Sequence, residues 1–269
     1  METTLLYLLT TSGVFFLAAA IFYILNFFNH SEAKAQVASG ASSIGFLGTT
    51  AALVVYTIGV GRVPLASMFE FGLFFLWSIV GIHLFIEYKY KLKQLGVIVL
   101  PMVFSMTLWL LMIEKGSRPL MPALRSNWLY FHVFTAIMAY GAFAVSFAVA
   151  LLYLIKEGAG GNFARNLPQL EVLDNLTHKI IMVGMPFLTL CIVTGAVWAE
   201  YAWGSYWSWD PKETWSLITW FVYAVYLHAR FVANWKGKKA IYLAIGGFLA
   251  VLFTFFGVNL LLPGLHSYK

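Results

Sequence analysis

Long apolar stretches separated by short polar segments set the pattern of this chain. A helix that crosses the hydrocarbon core of a membrane needs about 20 mainly apolar residues. Eight stretches come close to or exceed that length, and they predict transmembrane helices over 5–27, 42–60, 68–87, 95–113, 128–155, 179–198, 215–233 and 240–262. The sequence therefore predicts an all-α, polytopic membrane protein whose residues 1–269 form a single transmembrane domain.

The first stretch is interpreted as a retained membrane helix. A secretory signal peptide begins with a basic segment and ends at a cleavage site with small residues of the A-x-A kind. Neither feature accompanies residues 5–27. We therefore expect this segment to stay in the membrane as the first helix.

The composition supports lipid as the solvent. Hydrophobic residues make up 61% of the chain and charged residues 10%, whereas soluble domains carry about 25% charged residues. The net charge of +6 does not indicate nucleic-acid binding, because the basic residues occur in short runs between the apolar stretches. Runs of that kind act as orientation signals in membrane proteins.

The distribution of Lys and Arg predicts the orientation. Eleven of the 17 Lys and Arg residues fall in alternate loops or at their edges, and the side with more of them is normally cytoplasmic. These eleven are Lys34, Lys89, Lys91, Lys93, Lys156, Arg165, Lys179, Arg230, Lys236, Lys238 and Lys239. Both termini and the segment 199–214, between helices six and seven, are then predicted to lie on the outer side.

The outer segment is unusually rich in aromatic residues. Residues 198–215 contain five Trp and two Tyr in eighteen positions. One interpretation is a dense interfacial anchor, since Trp and Tyr gather at membrane surfaces. The other is a platform for a flat aromatic ligand such as haem, because Trp rings bury a large area in a defined geometry. On the residues alone, both interpretations stand.

Residues 210–213, which follow Trp209, resemble the start of a helix. Asp210 fits the N-cap position, Pro211 the first helical position and Glu213 the third, where it completes a capping box. Asp210 can therefore have a structural role, a ligand role or both. Lys212 is a candidate cation for a haem propionate, and Gly204 permits a close approach of the backbone.

Two histidines are predicted at the depth of the Trp-rich segment. His132 lies near the outer end of helix five and His266 lies just beyond helix eight. Neutral imidazole is a common axial ligand of haem iron, and ionisable residues in a membrane are candidates for function. The pair is therefore either a bis-histidine iron site or two interfacial histidines without a ligand.

His228 is predicted to lie at the opposite end of helix seven. Eighteen residues separate it from Asp210, which corresponds to about 27 Å along a helix. It cannot bind the same iron as the outer pair. Either it belongs to a second, inner site or it is an interfacial histidine beside the basic loop.

The other polar candidates are given structural interpretations. His30, His83 and His178 are expected to be structural or solvated, with His83 closest in depth to His228. Cys191 is expected to be a packed residue, and the chain has neither a CxxCH nor a CxxC motif.

One acidic residue near the outer side is predicted to form an ion pair. Glu70 is expected to pair with Arg62, Arg118 or Arg125. Buried carboxylates are otherwise expected to be nearly absent from the helices, which disfavours a proton- or ion-coupled transporter.

The run WGSYWSWDPKETW over residues 203–215 resembles the tryptophan-rich "WWD" signature of haem-handling membrane proteins. Its PKETW continuation is similar to the CcsA (ResC) branch of system II cytochrome c biogenesis, and the resemblance extends from helix two to His266. It implies that the segment, with Trp203, Trp207, Trp209 and Asp210, binds haem b on the outer face. It also implies that His132 and His266 are the axial ligands.

The resemblance further implies partner proteins. His228 matches a histidine of an inner haem site, whose second histidine comes from a CcsB (ResB) partner protein. With that partner the chain is expected to act in a cytochrome c synthase complex that attaches haem to the CxxCH of apocytochrome c. The bacterial inner membrane is favoured over the thylakoid membrane. A haem exporter or chaperone of the CcmC type, or a HemX-like regulatory protein, is the alternative.

Overall fold

Helices dominate the part of the chain that the structure describes. The structure is a computed structural model that describes residues 1–115, 125–160 and 165–264, and no strand occurs in these ranges. Its long helices are α1 (Glu2–Asn29), α2 (Glu32–Val60), α3 (Met68–Tyr90), α4 (Gly96–Met112), α5 (Asn127–Gly158), α6 (Leu170–Trp203), α7 (Pro211–Phe231) and α8 (Lys238–Leu261). Each predicted stretch overlaps one of them, which confirms the all-α fold.

Seven of these helices, within the described ranges, are long and apolar enough to cross a membrane. The exception is α7, although its 21 residues span about 30 Å at 1.5 Å per residue. Its buried face carries polar groups, among them Thr219, Tyr223, Tyr226 and Arg230. These groups lower its hydropathy, because they replace the aliphatic side chains that a buried face normally carries.

Two helices begin well before the predicted positions. α2 starts at Glu32 rather than near 42, because Ser31 is an N-cap whose side chain accepts a hydrogen bond from Lys34 N. α6 starts at Leu170 rather than near 179 and has 34 residues, or about 51 Å of helix. The additional turns are polar, and a search for apolar stretches therefore misses them although they are helical.

The described chain divides into two compact units. The first contains the described residues within 1–117 and 155–168, and the second those within 118–154 and 169–269. In the first unit α1 packs against α2 and α4, and α3 packs against the same two helices. Gly96, at the start of α4, lies against the ring of Tyr23. The expected single transmembrane domain stays a prediction.

The first unit buries two carboxylates. Glu70 is fully buried and pairs with Arg62 at 2.9 Å, which confirms the expected ion pair. Glu87 is also buried, accepts hydrogen bonds from Tyr23 and Ser39, and pairs with Lys93 at 2.8 Å. His83 lies 3.6 Å from Glu87 and is fully buried.

A third buried carboxylate within a helix lies in the second unit. Asp174 of α6 pairs with Arg230 of α7 at 2.7 Å. The expectation that buried carboxylates are nearly absent from the helices is therefore wrong. Each of the three carboxylates is paired with an Arg or Lys, which offsets the cost of burying its charge.

The second unit builds its core from α5, α6, α7 and α8. α7 packs against both α6 and α8, and the rings of Phe143 and Tyr223 stack with centroids 3.8 Å apart. α8 contains a π-helical turn at Phe253–Gly257. The ring of Phe253 lies 4.1 Å from that of Trp215, at the beginning of α7. The Trp-rich segment therefore joins two helices that are anchored in this core.

Candidate functional site

The Trp-rich segment is a short loop between two helices. α6 continues to Trp203, so the first residues of the predicted segment 199–214 are helical. Gly204 then ends α6 in the left-handed conformation, with φ +73° and its N–H bonded to Glu200 O. Glycine adopts this conformation without steric cost. The loop closes at Asp210, where α7 begins.

A capping box fixes the beginning of α7, as predicted. The Asp210 side chain accepts a hydrogen bond from Lys212 N at 2.9 Å. The Glu213 carboxylate reaches back to Asp210 N at 3.2 Å and to Ser208 N at 2.8 Å. These two N–H groups flank Trp209, so one carboxylate determines the backbone on both sides of that residue.

Trp209 has an unfavourable backbone conformation. Its φ is +59°, a region that a bulky residue adopts at a cost of about 1–3 kcal/mol. The residue is 69% exposed, and its ring meets that of Trp207 edge-on, with centroids 5.6 Å apart. The hydrogen bonds of Glu213 therefore stabilise the unfavourable backbone conformation of Trp209, in which its ring points away from the loop.

We expect Glu213→Ala to loosen this loop. Removing the carboxylate releases two N–H groups and half of the capping box, at a cost of about 1 kcal/mol. That cost corresponds to roughly fivefold more opening. Chymotrypsin cleaves after aromatic residues, so the rate of cleavage within 201–209 of the detergent-solubilised protein measures the opening.

Glu171→Ala is the matched control for this change, because Glu171 lies in the first turn of α6 in the same unit. Its cleavage rate in the loop should equal that of the wild-type protein. Equal rates for Glu213→Ala and the wild type would contradict the role assigned to Glu213.

His132 lies against α6 and close to the Trp-rich segment. Its Nδ1 is 2.8 Å from the carbonyl oxygen of Cys191. Its ring stacks on that of Trp198, with centroids 5.9 Å apart and planes 12° apart. Trp198 in turn meets Trp203 at 4.8 Å. A continuous set of rings thus connects His132 with the end of α6.

The position of His266 lies outside the described residues. The chain is described as far as Gly264, two residues earlier, and Gly264 lies against the N-cap of α7. A Cβ atom at Gly264 would be 2.5 Å from Asp210 Oδ2 and 3.1 Å from Pro211 Cδ. The chain segment that leads to His266 is therefore at the Trp-rich loop.

His228 is not brought together with this loop. It is exposed on α7, one and two turns after the exposed Val225 and Phe221. His228 therefore lies on an apolar, exposed face of the helix. The predicted separation between His228 and Asp210 is confirmed, because one continuous helix begins after Asp210 and carries His228.

The remaining histidines have different surroundings. His83 was expected to be either structural or solvated, and it is fully buried. Only the structural interpretation therefore applies. His178 is partly buried in α6, with its ring 5.3 Å from that of Phe231. Its Nδ1 is buried without a hydrogen-bond partner among the described residues. His30 is exposed and ends α1 with φ +47°.

The groups that surround His132 were not predicted from the sequence. Cys191, Gly195 and Trp198 follow one another at helical spacings of four and three residues, so they share one face of α6. That spacing is visible in the sequence, but nothing local indicates that the face meets a histidine 59 residues away.

The sequence model of the family described as "Cytochrome C assembly protein" matches residues 65–266. That span is more than half of the chain and includes His132, the Trp-rich segment, His228 and His266. The chain belongs to the cytochrome c assembly protein family.

Relatives within this family match along most of their length. The chain is 34% identical to cytochrome c biogenesis protein CcsA of Gloeobacter violaceus, over 93% of this chain and 91% of that protein. It is 40% identical to CcsA of Guillardia theta, over 84% of this chain and 85% of that protein. The recognition of the CcsA branch from the WWD run is confirmed.

A solved structure shares the fold of this assembly protein. Cytochrome c Heme Lyase CcmF superposes with a TM-score of 0.68 at 20% sequence identity. The superposition covers 92% of this chain and 45% of the longer CcmF chain. At this identity the similarity establishes the fold of the membrane helices.

Proposed function

We propose that this protein binds haem b at the outer Trp-rich loop and presents it for covalent attachment to the CxxCH of an apocytochrome c. The observation that carries the proposal is the set of rings from His132 through Trp198 to Trp203, which leads from a potential iron ligand to the loop. Family membership supports haem and apocytochrome c as the molecules handled. The CcsA relatives support a role in cytochrome c biogenesis.

His132 and His266 are the proposed axial ligands on the two faces of the iron. Trp203, Trp207 and Trp209 form the proposed platform for the macrocycle. Asp210 has a positioning role, because it caps α7 and contacts the segment that leads to His266. Axial coordination from both sides would limit the reaction of the iron with oxygen.

The protein contributes orientation rather than acid–base chemistry. Each thioether forms when a cysteine S–H adds across a haem vinyl group, with sulfur bonding to one carbon and the proton going to the other. No oxidant is consumed in this addition. The haem provides the reactive vinyl groups, and the protein holds them toward the two thiols.

His228 is the proposed ligand of an inner site through which haem enters. Its exposed position suits a site that a second protein completes, and a CcsB (ResB) protein is the proposed partner. The two would form a cytochrome c synthase complex, with the Trp-rich loop on the outer side of a bacterial inner membrane.

A reporter cytochrome c, co-expressed with the protein and its CcsB partner, tests this function. We expect His266→Ala to reduce covalent haem attachment to the reporter by at least about tenfold. Removing only a hydrogen-bond partner of a metal ligand already lowers metal affinity or activity about 10–100-fold. Haem delivered to the outer side is measured in the same cells. If the protein only exported haem, the His266→Ala variant would still yield the holocytochrome.

His228→Ala is the second arm of this assay. We expect it to lower the haem content of the purified complex, together with attachment. If His228→Ala retains full haem content, then the proposed inner site is wrong, whereas the outer site is tested by the His132 and His266 variants.

A further inference from the structure

Three groups on one face of α6 hold the ring of His132. The carbonyl of Cys191 lies 2.8 Å from Nδ1, and Trp198 stacks almost parallel to the imidazole, at 12°. Gly195 lies between these two positions, one turn after Cys191. The ring therefore lies directly against the backbone of α6 at Gly195.

The carbonyl contact determines which ring nitrogen carries the proton. A carbonyl oxygen only accepts hydrogen bonds, so Nδ1 must donate to it. In a neutral imidazole with hydrogen on Nδ1, the lone pair is on Nε2. Histidines that bind metals usually donate their other N–H to a carbonyl or carboxylate, which orients the ring and makes the ligating nitrogen more basic.

Gly195 is what allows this contact. A Cβ atom at Gly195 would lie 2.7 Å from His132 Nδ1 and 2.8 Å from Cε1. Both distances are far below ordinary van der Waals contact, and therefore any side chain at 195 moves the ring away from the Cys191 carbonyl. The effect falls directly on the nitrogen that donates the hydrogen bond.

We propose that Gly195 is a positioning residue for the iron ligand His132: it lets the imidazole reach the Cys191 carbonyl, which fixes Nδ1–H and directs Nε2 to the haem iron. This inference rests on the proposed function, because that function gives His132 its iron. Gly195 itself contacts the histidine and not the haem.

The test compares Gly195→Ala with Gly246→Ala in the complex purified with the CcsB partner. Gly246 is a helical glycine of α8 in the same unit, and a Cβ atom there would meet nothing within 4 Å. We expect Gly195→Ala to retain the haem at the Trp-rich loop about tenfold more weakly and to lose the low-spin spectrum of that haem. Added imidazole should restore that spectrum. Gly246→Ala should match the wild type throughout.

His132→Ala separates the two levels of the hypothesis. If His132→Ala loses the low-spin signal of the haem at the Trp-rich loop while Gly195→Ala keeps it, the positioning role is wrong and the proposed function stands. If His132→Ala keeps that signal, the proposed ligand role of His132 is wrong and the positioning role with it.

A measurement on the wild-type complex replaces the variant if Gly195→Ala does not accumulate. Pulsed electron paramagnetic resonance of the oxidised haem detects the remote ring nitrogen of each axial histidine, and its quadrupole coupling depends on hydrogen bonding. We expect one remote nitrogen with the coupling of a strongly hydrogen-bonded N–H. Weakly bonded remote nitrogens on both ligands would overturn the proposal.

Discussion

His132→Ala is expected to abolish the bis-histidine spectrum of the haem at the Trp-rich loop and, with it, cytochrome c maturation. The imidazole stacks on Trp198, whose ring meets that of Trp203 at the end of α6. Removing it leaves one face of the iron without its protein ligand. Because the lost group is an imidazole, free imidazole added to the variant should restore both the low-spin spectrum and part of the attachment.

His30→Asn is the matched control. It also removes one imidazole, and asparagine tolerates the left-handed backbone that residue 30 adopts. His30 is exposed at the end of α1, so its replacement should leave spectrum and maturation unchanged. A His132→Ala protein with wild-type spectrum and maturation would contradict the assignment of this ligand.

The second large effect is expected on stability, from Asp174→Ala. Asp174 accepts hydrogen bonds from Arg230 Nη1 at 2.7 Å and from Gly237 N at 3.1 Å. Both side chains of the ion pair are about 95% buried. Removing the carboxylate leaves a buried guanidinium without its counter-ion, which typically costs about 3–5 kcal/mol. We expect a lower melting temperature in detergent and less protein in the membrane.

The double variant Asp174→Ala/Arg230→Met tests the reason for this loss. Replacing both members by apolar groups removes the uncompensated charge, and should recover most of the lost stability. The outer haem spectrum of the protein that folds should be unchanged, because Arg230 lies about 30 Å along α7 from Asp210. A double variant as unstable as Asp174→Ala would show that packing, rather than charge, accounts for the loss.

The local features of this protein could be predicted from the sequence. The apolar stretches located every long helix in the part of the chain that the structure describes, and the capping box at Asp210 and Glu213 follows from residues three positions apart. The starts of α2 and α6 were misplaced, since hydropathy detects the part of a helix in contact with lipid and not its polar turns. Ser31 was the signal that marks the true start of α2.

The polar interior could not be predicted in the same way. Glu87 meets Tyr23 across 64 residues and Asp174 meets Arg230 across 56. Neither pair has a local signature, because a carboxylate at the polar end of a predicted helix looks like a solvated one. Only the packing of the helices shows that these groups are buried and paired.

The surroundings of His132 illustrate the same limit at the site itself. The residue was recognised from its depth and from the family motif, but the orientation of its ring depends on a backbone carbonyl of another helix. Every residue has a backbone carbonyl, so the sequence does not mark the one that meets His132. Gly195 is likewise one of 22 glycines. The tautomer of the ligand is therefore a property of the packed structure.

The haem spectrum of the complex purified with its CcsB partner, with total haem measured by pyridine extraction, tests the proposed function most directly. We expect bound haem with a low-spin bis-histidine spectrum in the wild type. In His132→Ala/His266→Ala we expect loss of the signal from the haem at the Trp-rich loop, and its return with imidazole. An intact wild-type complex without haem would contradict the proposed function, and the Trp-rich loop would then be an interfacial anchor.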